Sequence, residues 1–346
     1  MSSEVNSGCP LCKCKDFNPF ITGFDRVFSR IENFYYVKCL KCHMVYLHPI
    51  PSFEKIATFY GSEYGPHQEG KIDQIQVRHK KWLNLFLIKN YFNPQISHQT
   101  KKGLKYYIAK LISKFAFKNI ISPHGSCRLL DVGCGSGGWL YQHHALGWTA
   151  EGVEMNASAC DRARNLGMNV FHGTIFDVPK DKQYDIISFN HVIEHVPNPV
   201  ETLLCAKELL APGGLIYLLL PNLDSYGFEK YGNCWFPLDP PRHILQFSIE
   251  TMGYMADKVG LKIKSLKTLP KPRFILKSYL YKKFLRNNYI DIEELEKRKQ
   301  LIQNCAAKER SKSIFHKTIK RLFYLQNIFC NYKNGEVMKI FLQKNN

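Results

Sequence analysis

Nowhere in its 346 residues does the chain hold an apolar run near the roughly 20 residues that cross a bilayer. A helical membrane span is therefore not expected. The first residues, Met1-Ser2-Ser3-Glu4-Val5-Asn6, lack the basic and apolar blocks of a secretory signal, so a cytoplasmic location is expected. No internal repeat is visible. Acids are scarce: 29 Asp and Glu stand against 48 Lys and Arg, a formal net charge of +19. The deficit is sharpest in residues 71–120, where eleven Lys or Arg accompany one acid, Asp73. Aromatics such as Trp82, Tyr91, Tyr106 and Tyr107 are interleaved with them. Such a stretch suits anionic lipid headgroups, nucleic acid or a phosphorylated substrate, and equally a set of solvated helix faces.

The twelve cysteines are not spread as a disulfide framework, since five fall within residues 9–42 and the rest are scattered. Cys9-Pro10-Leu11-Cys12 and Cys39-Leu40-Lys41-Cys42 form two CxxC knuckles with 26 residues between them. Two-residue spacing lets both thiolates of a knuckle face one ion, and two knuckles close a tetrahedral zinc shell of Cys9, Cys12, Cys39 and Cys42. A redox role fits less well, because two pairs are present and neither opens a helix in a βαβ unit. Cys14, His43 and His48 are spare ligands. A closed shell has no open coordination position, so this zinc is expected to be structural.

Residues 126–268 alternate strands and helices. Strands are expected at 128–132, 149–154, 169–172, 184–189, 215–220 and 261–266, and helices from Gly138, at 157–166, about 200–210 and 248–259. Ser248 and Thr251 are capping candidates for the last helix. This alternation predicts an α/β fold with a doubly wound, mostly parallel, seven-stranded sheet. The expected organisation is a zinc ribbon over 1–50, a basic helical linker over 51–125, and a main domain over 126–346. A helical insertion at about 270–333 precedes a last strand beginning near Gly335.

The glycine loop Asp131-Val132-Gly133-Cys134-Gly135-Ser136-Gly137-Gly138 follows the first of these strands. Glycines there allow the tight turn and let bare backbone approach a nucleotide-like ligand. Glu154 closes the next strand, where an acid reads a ribose diol. Gly133, Gly135 and Gly138 also spell GxGxxG, the dinucleotide pattern. Asp131 argues against that reading, because a carboxylate ahead of the loop repels pyrophosphate and suits an ammonium group. A nucleoside with an amino-acid tail meets both demands, and S-adenosylmethionine is such a ligand.

The loop resembles motif I of class I S-adenosylmethionine-dependent methyltransferases. The resemblance extends to Gly152-Val153-Glu154-Met155, Gly173-Thr174-Ile175-Phe176-Asp177, the strand and loop Tyr184–Val196, and the turn Pro212-Gly213-Gly214. Asp239-Pro240-Pro241-Arg242-His243, just after Trp235, is similar to a segment of bacterial sugar and glycan-linked methyltransferases. These often carry an N-terminal four-cysteine ribbon ending in Pro-x-Pro, here Pro49-Ile50-Pro51. The likeness covers roughly residues 8–60 and 126–268. It implies cofactor contacts at Asp131, Gly133, Cys134, Gly135, Gly137, Glu154, Met155, Ile175, Phe176 and Asn190. Thr174 stands where many relatives have an acid, so adenine recognition falls to backbone groups, Asp177 or Phe176.

His191-Val192-Ile193-Glu194-His195 spells the HxxEH of inverted zinc peptidases. Pro197 and Pro199 close off the long helix that chemistry needs. For a hydroxyl acceptor a general base is required. His243 is the first candidate and His191 the second, with Arg242 placed to pair with an anionic substrate group or with Asp239. The expected activity is methyl transfer to a small polar acceptor, a sugar of a nucleotide- or lipid-linked glycan, with peripheral contact to an anionic membrane. An RNA methyltransferase using the ribbon and basic surface is the alternative.

Overall fold

The computed structural model describes residues 8–25, 30–52, 55–56, 58–59, 81–92, 103–116, 120–122, 124–285 and 335–345. The basic stretches 71–80 and 93–102, and most of the helical insertion expected at 270–333, lie outside the described residues.

Two cysteine turns flank a hairpin of β1 (Phe17–Asp25) and β2 (Arg30–Cys39), which pairs on with β3 (Val45–Leu47). The turns are built alike. Lys13 donates its N–H to the Cys9 carbonyl and His43 donates its N–H to the Cys39 carbonyl, and both residues are left-handed, with φ of 62° and 59°. The long spacer between the CxxC pairs is thus largely a β-hairpin. Helix α1 (Lys81–Leu87) runs into a wider turn at Ile88–Phe92, against which α2 (Leu104–Ala116) packs.

The main sheet begins with β4 (Arg128–Val132), α3 (Gly138–His144), β5 (Thr149–Glu154), α4 (Ala157–Asn165) and β6 (Asn169–His172). It continues with β7 (Tyr184–Asn190), α5 (Pro199–Glu208), β8 (Leu210–Pro221), α6 (Tyr226–Tyr231), α7 (Ile249–Lys258), β10 (Leu261–Leu269), α8 (Pro272–Leu285) and β11 (Val337–Lys344). The strand order is β10-β11-β8-β7-β4-β5-β6, and β11 runs antiparallel to both its neighbours. The central strands are continuous apolar runs because both faces are covered: Leu129, Leu130, Ile186, Ile187 and Phe189 are all fully buried. Ser248 and Thr251 form the capping box that opens α7. The turn expected at 212–214 instead lies inside β8 as a bulge, since Tyr184 pairs with Leu210 but Ile186 pairs with Leu215. Exposed Pro212 and Gly213 loop outward there while pairing resumes on either side.

Chain order reverses between β4 and β7. From β4 the chain winds outward through β5 and β6, then returns to the other side of β4. The crevice at the carboxyl ends of β4 and β7 is therefore a topological switch point, where doubly wound sheets hold ligands. A short strand β9 (Leu245–Gln246) leaves this region and pairs with β3 as the fourth strand of the N-terminal sheet. The cysteine-rich sheet is thereby knitted onto the edge of the crevice.

Candidate active site

A cavity of about 640 Å³ opens at this switch point, a size typical of small-ligand sites. One end is the glycine loop. Gly133 has φ of +65°, and a Cβ there would lie 2.7 Å from Val192 Cγ2, so glycine is needed both for the turn and for closeness. Glu154 reaches the cavity from the end of β5. Its two oxygens accept the N–H groups of Gly135 and Asn156, each at 2.9 Å. A carboxylate has about four lone-pair positions, so two remain for a vicinal diol. Phe176, half exposed, and Met155 line the wall beyond it. Met155, Ile175, Asn190, His191 and His243 line the same cavity.

Three residues expected to touch cofactor stand behind that wall. Asp131 is buried and accepts a 2.6 Å hydrogen bond from Ser188. Burial pushes its carboxyl up to about 7, Ser188 opposing and Glu154 reinforcing the shift. Cys134 packs against Gly152, where an added Cβ would sit 2.6 Å from the sulfur. Gly137, at φ of 78°, brings the loop onto α4, where its missing Cβ would meet Ala163 at 2.8 Å. Asp177 is also turned away, accepting from the Thr174 N–H and hydroxyl as the second half of a capping box. Arg242 is fully buried, in ion pairs with Asp239 at 2.6 Å and Asp25 at 3.0 Å. Its charge serves those carboxylates and is not presented to an anionic substrate.

The opposite wall is histidine-rich. His243 donates from Nδ1 to the Pro237 carbonyl at 2.6 Å, and His195 donates from Nδ1 to the Arg242 carbonyl at 3.0 Å. These bonds fix both tautomers and make Nε2 the lone-pair nitrogen of each ring. Burial and the neighbouring His243 push His195 down to about 4, so it stays neutral at neutral pH. Glu194 is 1% exposed and accepts from His191 Nδ1 at 3.1 Å. Burial opposes its charge, but the His191 hydrogen bond and the surrounding imidazoles hold it at about 2. His191 itself sits at φ of 57°, a left-handed position uncommon for a side-chain-bearing residue and frequent at functional sites. The segment 193–195 is a single helical turn, which leaves no room for a peptidase helix.

Sequence reasoning missed Phe236, Phe274, Asn198 and Thr202 in the lining. Phe274 comes from α8 in the expected insertion, and only the fold brings it to the cavity. His195 and Glu194 had a signal in the HxxEH spelling.

The spare metal ligands are engaged elsewhere. His43 pairs with Glu250 at 2.9 Å, His48 packs its ring at a tilt against Phe17, and Cys14 turns to Asp16.

A glycine loop, an acid at the end of the next strand and a switch-point cavity facing paired imidazoles, on this sheet order, define the class I methyltransferase fold. Residues 99–266 match the model of a family described as a methyltransferase domain. The ubiquinone biosynthesis O-methyltransferase of Rickettsia bellii strain OSU 85-389 is 27% identical over 178 residues, covering 48% of this chain and 72% of that one. Its namesake in Saccharophagus degradans is 30% identical over 115 residues, covering 30% of this chain and 49% of that one. A solved S-adenosylmethionine-dependent methyltransferase from Archaeoglobus fulgidus is 16% identical, covering 71% of this chain and 97% of that one, with a TM-score of 0.41. The chain is an S-adenosylmethionine-dependent methyltransferase.

Proposed function

We propose that the enzyme methylates a hydroxyl of a small polar acceptor, a sugar of a nucleotide- or lipid-linked glycan, with His243 as general base. The observation that carries this reading is the Nδ1–H bond from His243 to Pro237, which leaves the lone pair of this cavity-lining ring at Nε2. S-adenosylmethionine supplies an electrophilic methyl group on a sulfonium. The chain's residues do the rest. Asn190, Asn198 and Thr202 offer hydrogen bonds that orient the acceptor. As the acceptor oxygen bonds to the methyl carbon, its proton passes to His243 Nε2 and the C–S pair returns to sulfur. Glu194, buried and ionised, stabilises the imidazolium through its field, while neutral His195 packs edge-on against it. Glu154, Gly133, Gly135, Met155, Ile175 and Phe176 hold the nucleoside end of the donor, and Asp131 supports the loop from behind.

Four thiols accompany this site. The Cys9–Cys42 and Cys12–Cys39 sulfurs are 3.4 and 3.5 Å apart, and all four lie within 4.8 Å of one another. A tetrahedral shell with Zn–S of about 2.3 Å places its sulfurs about 3.8 Å apart, so the donor set fits one structural zinc.

A second acceptor class has its own support. Phe236 and Phe274 give the cavity two aromatic walls, and the relatives named above are ubiquinone biosynthesis O-methyltransferases. A phenolic ring would lie well there. Transfer of labelled methyl to a panel of nucleotide sugars and polyprenyl-linked sugars, set beside catechols and polyprenyl hydroxybenzoates, separates the two. Label in the sugars alone supports the proposal, and label in the phenols alone replaces it. Label in co-purified RNA alone returns the RNA alternative.

A further inference from the structure

Helix α2 has two apolar faces, and among the described residues only one is packed against the fold. Tyr106, Ala109 and Ile112 turn inward onto the cluster that holds Leu87, Tyr91 and Phe92. On the outside, Leu104 is 76% exposed, Tyr107 55%, Ile108 41% and Leu111 58%. Their spacing places all four on one stripe about 100° wide. Leu85, on the adjoining α1, is 58% exposed as well. Single exposed leucines need no explanation, but a contiguous stripe marks a contact surface. Exposed Lys105 and Lys110 flank the stripe on either side, and Lys89 is exposed close by. No Asp or Glu occurs between Asp73 and Asp131.

We propose that α2 docks flat on an anionic bilayer surface, seating Leu104, Tyr107, Ile108 and Leu111 at headgroup level with Lys105 and Lys110 on lipid phosphates. An apolar stripe bordered by lysines is the pattern of an interfacial helix. Nucleic acid would reward the lysines but leave the leucines in water. A second copy would cover the leucines but set cationic faces against each other. An anionic membrane satisfies both features at once. The inference does not depend on which acceptor is methylated.

The test is co-sedimentation of the full chain with vesicles of phosphatidylcholine alone and of phosphatidylcholine and phosphatidylglycerol in equal parts. Binding to the mixed vesicles, weakened by salt, is expected, with little binding to the neutral ones. Leu104→Ser, Ile108→Ser and Leu111→Ser together should weaken partitioning roughly 100-fold. Lys105→Glu with Lys110→Glu should weaken it about tenfold or more. These side chains already face water, so calorimetric S-adenosylhomocysteine affinity should not change in either variant. Loss of that affinity in the wild type would count against the methyltransferase reading and leave this one standing. No sedimentation with mixed vesicles, equal binding to neutral vesicles, or full binding by the serine variant overturns the proposal. So does dimerisation that the serine variant abolishes, or RNA displacing the vesicles.

Discussion

The His195 and His243 rings meet edge to face, with centroids 4.6 Å apart and planes at 83°. One ring comes from the turn after β7 and the other from the loop after β8, yet each points Nδ1–H at a backbone carbonyl and Nε2 away from it. Two imidazoles this close do not both carry charge comfortably, and His195 is the one held neutral. His243 is left to take the proton. His243→Ala should therefore retain S-adenosylhomocysteine affinity and lose about 10²–10⁴-fold in single-turnover methyl transfer. His191→Ala should lose less, because His191 serves Glu194 through its hydrogen bond. The reverse ranking in the same assay would move the base to His191.

Tyr36 holds the His243 loop from the N-terminal sheet. Its hydroxyl lies 2.7 Å from the His243 carbonyl and 3.1 Å from that of Leu238, and donates to both. Tyr36→Phe removes one proton and leaves two acceptors short, partly relieved by Gln246 Nε2, which also donates to both carbonyls. The expected cost is about 1–2 kcal/mol of stability. Turnover should fall severalfold with donor affinity unchanged, because the glycine loop lies on other strands. A variant with wild-type turnover would show that the sheet does not position His243.

The same geometry gives the zinc a consequence at a distance. Asp25 and Tyr36 sit on the hairpin between the two knuckles, and Asp25 pairs with Arg242, next to His243 in sequence. Elemental analysis should find one zinc per chain. Cys9→Ser or chelation should lower thermal stability and cut turnover more steeply than S-adenosylhomocysteine binding. A chain free of metal with full turnover would contradict both the zinc and its link to the loop.

Local order was written plainly in the sequence. The strands at 128–132, 149–154 and 169–172 fall where the apolar runs place them, and Ser248 with Thr251 caps the helix it was expected to cap. Glycine spacing located the loop, and Glu154 stands where expected, at the end of the next strand and on the cavity wall. What the sequence withheld is long-range. Asp25 meets Arg242 across 217 positions, and Phe274 reaches the cavity only because α8 folds back over it. Periodicity encodes which face of an element is buried, not against what. Asp131 shows the limit at a single residue. Its type points to an ammonium partner, but that one of its oxygens accepts from Ser188 on the neighbouring strand could be read only from the fold.

Stability against pH offers a check on a buried histidine far from the reacting atoms. His143 donates from Nδ1 to the Trp139 carbonyl and accepts the Ile121 N–H at Nε2, so the fold requires it neutral. Burial pushes it down to about 4 from an ordinary 6.5, the Trp139 bond opposing only in part. The unfolded chain therefore takes up this proton first as pH falls. Stability from His143 is full above about pH 7 and is lost progressively down to pH 4, by about 3 kcal/mol. Asp131 acts oppositely. Its raised carboxyl binds a proton in the folded state first, so it adds stability as pH falls below about 7 toward the ordinary carboxylate range. The wild-type slope is the difference of such terms, and the His143→Gln variant isolates one of them. Denaturant unfolding of both proteins across this range should show the wild type's advantage shrinking by about 3 kcal/mol as pH falls from 7 to 4. An advantage independent of pH would mean that His143 is not held neutral by burial.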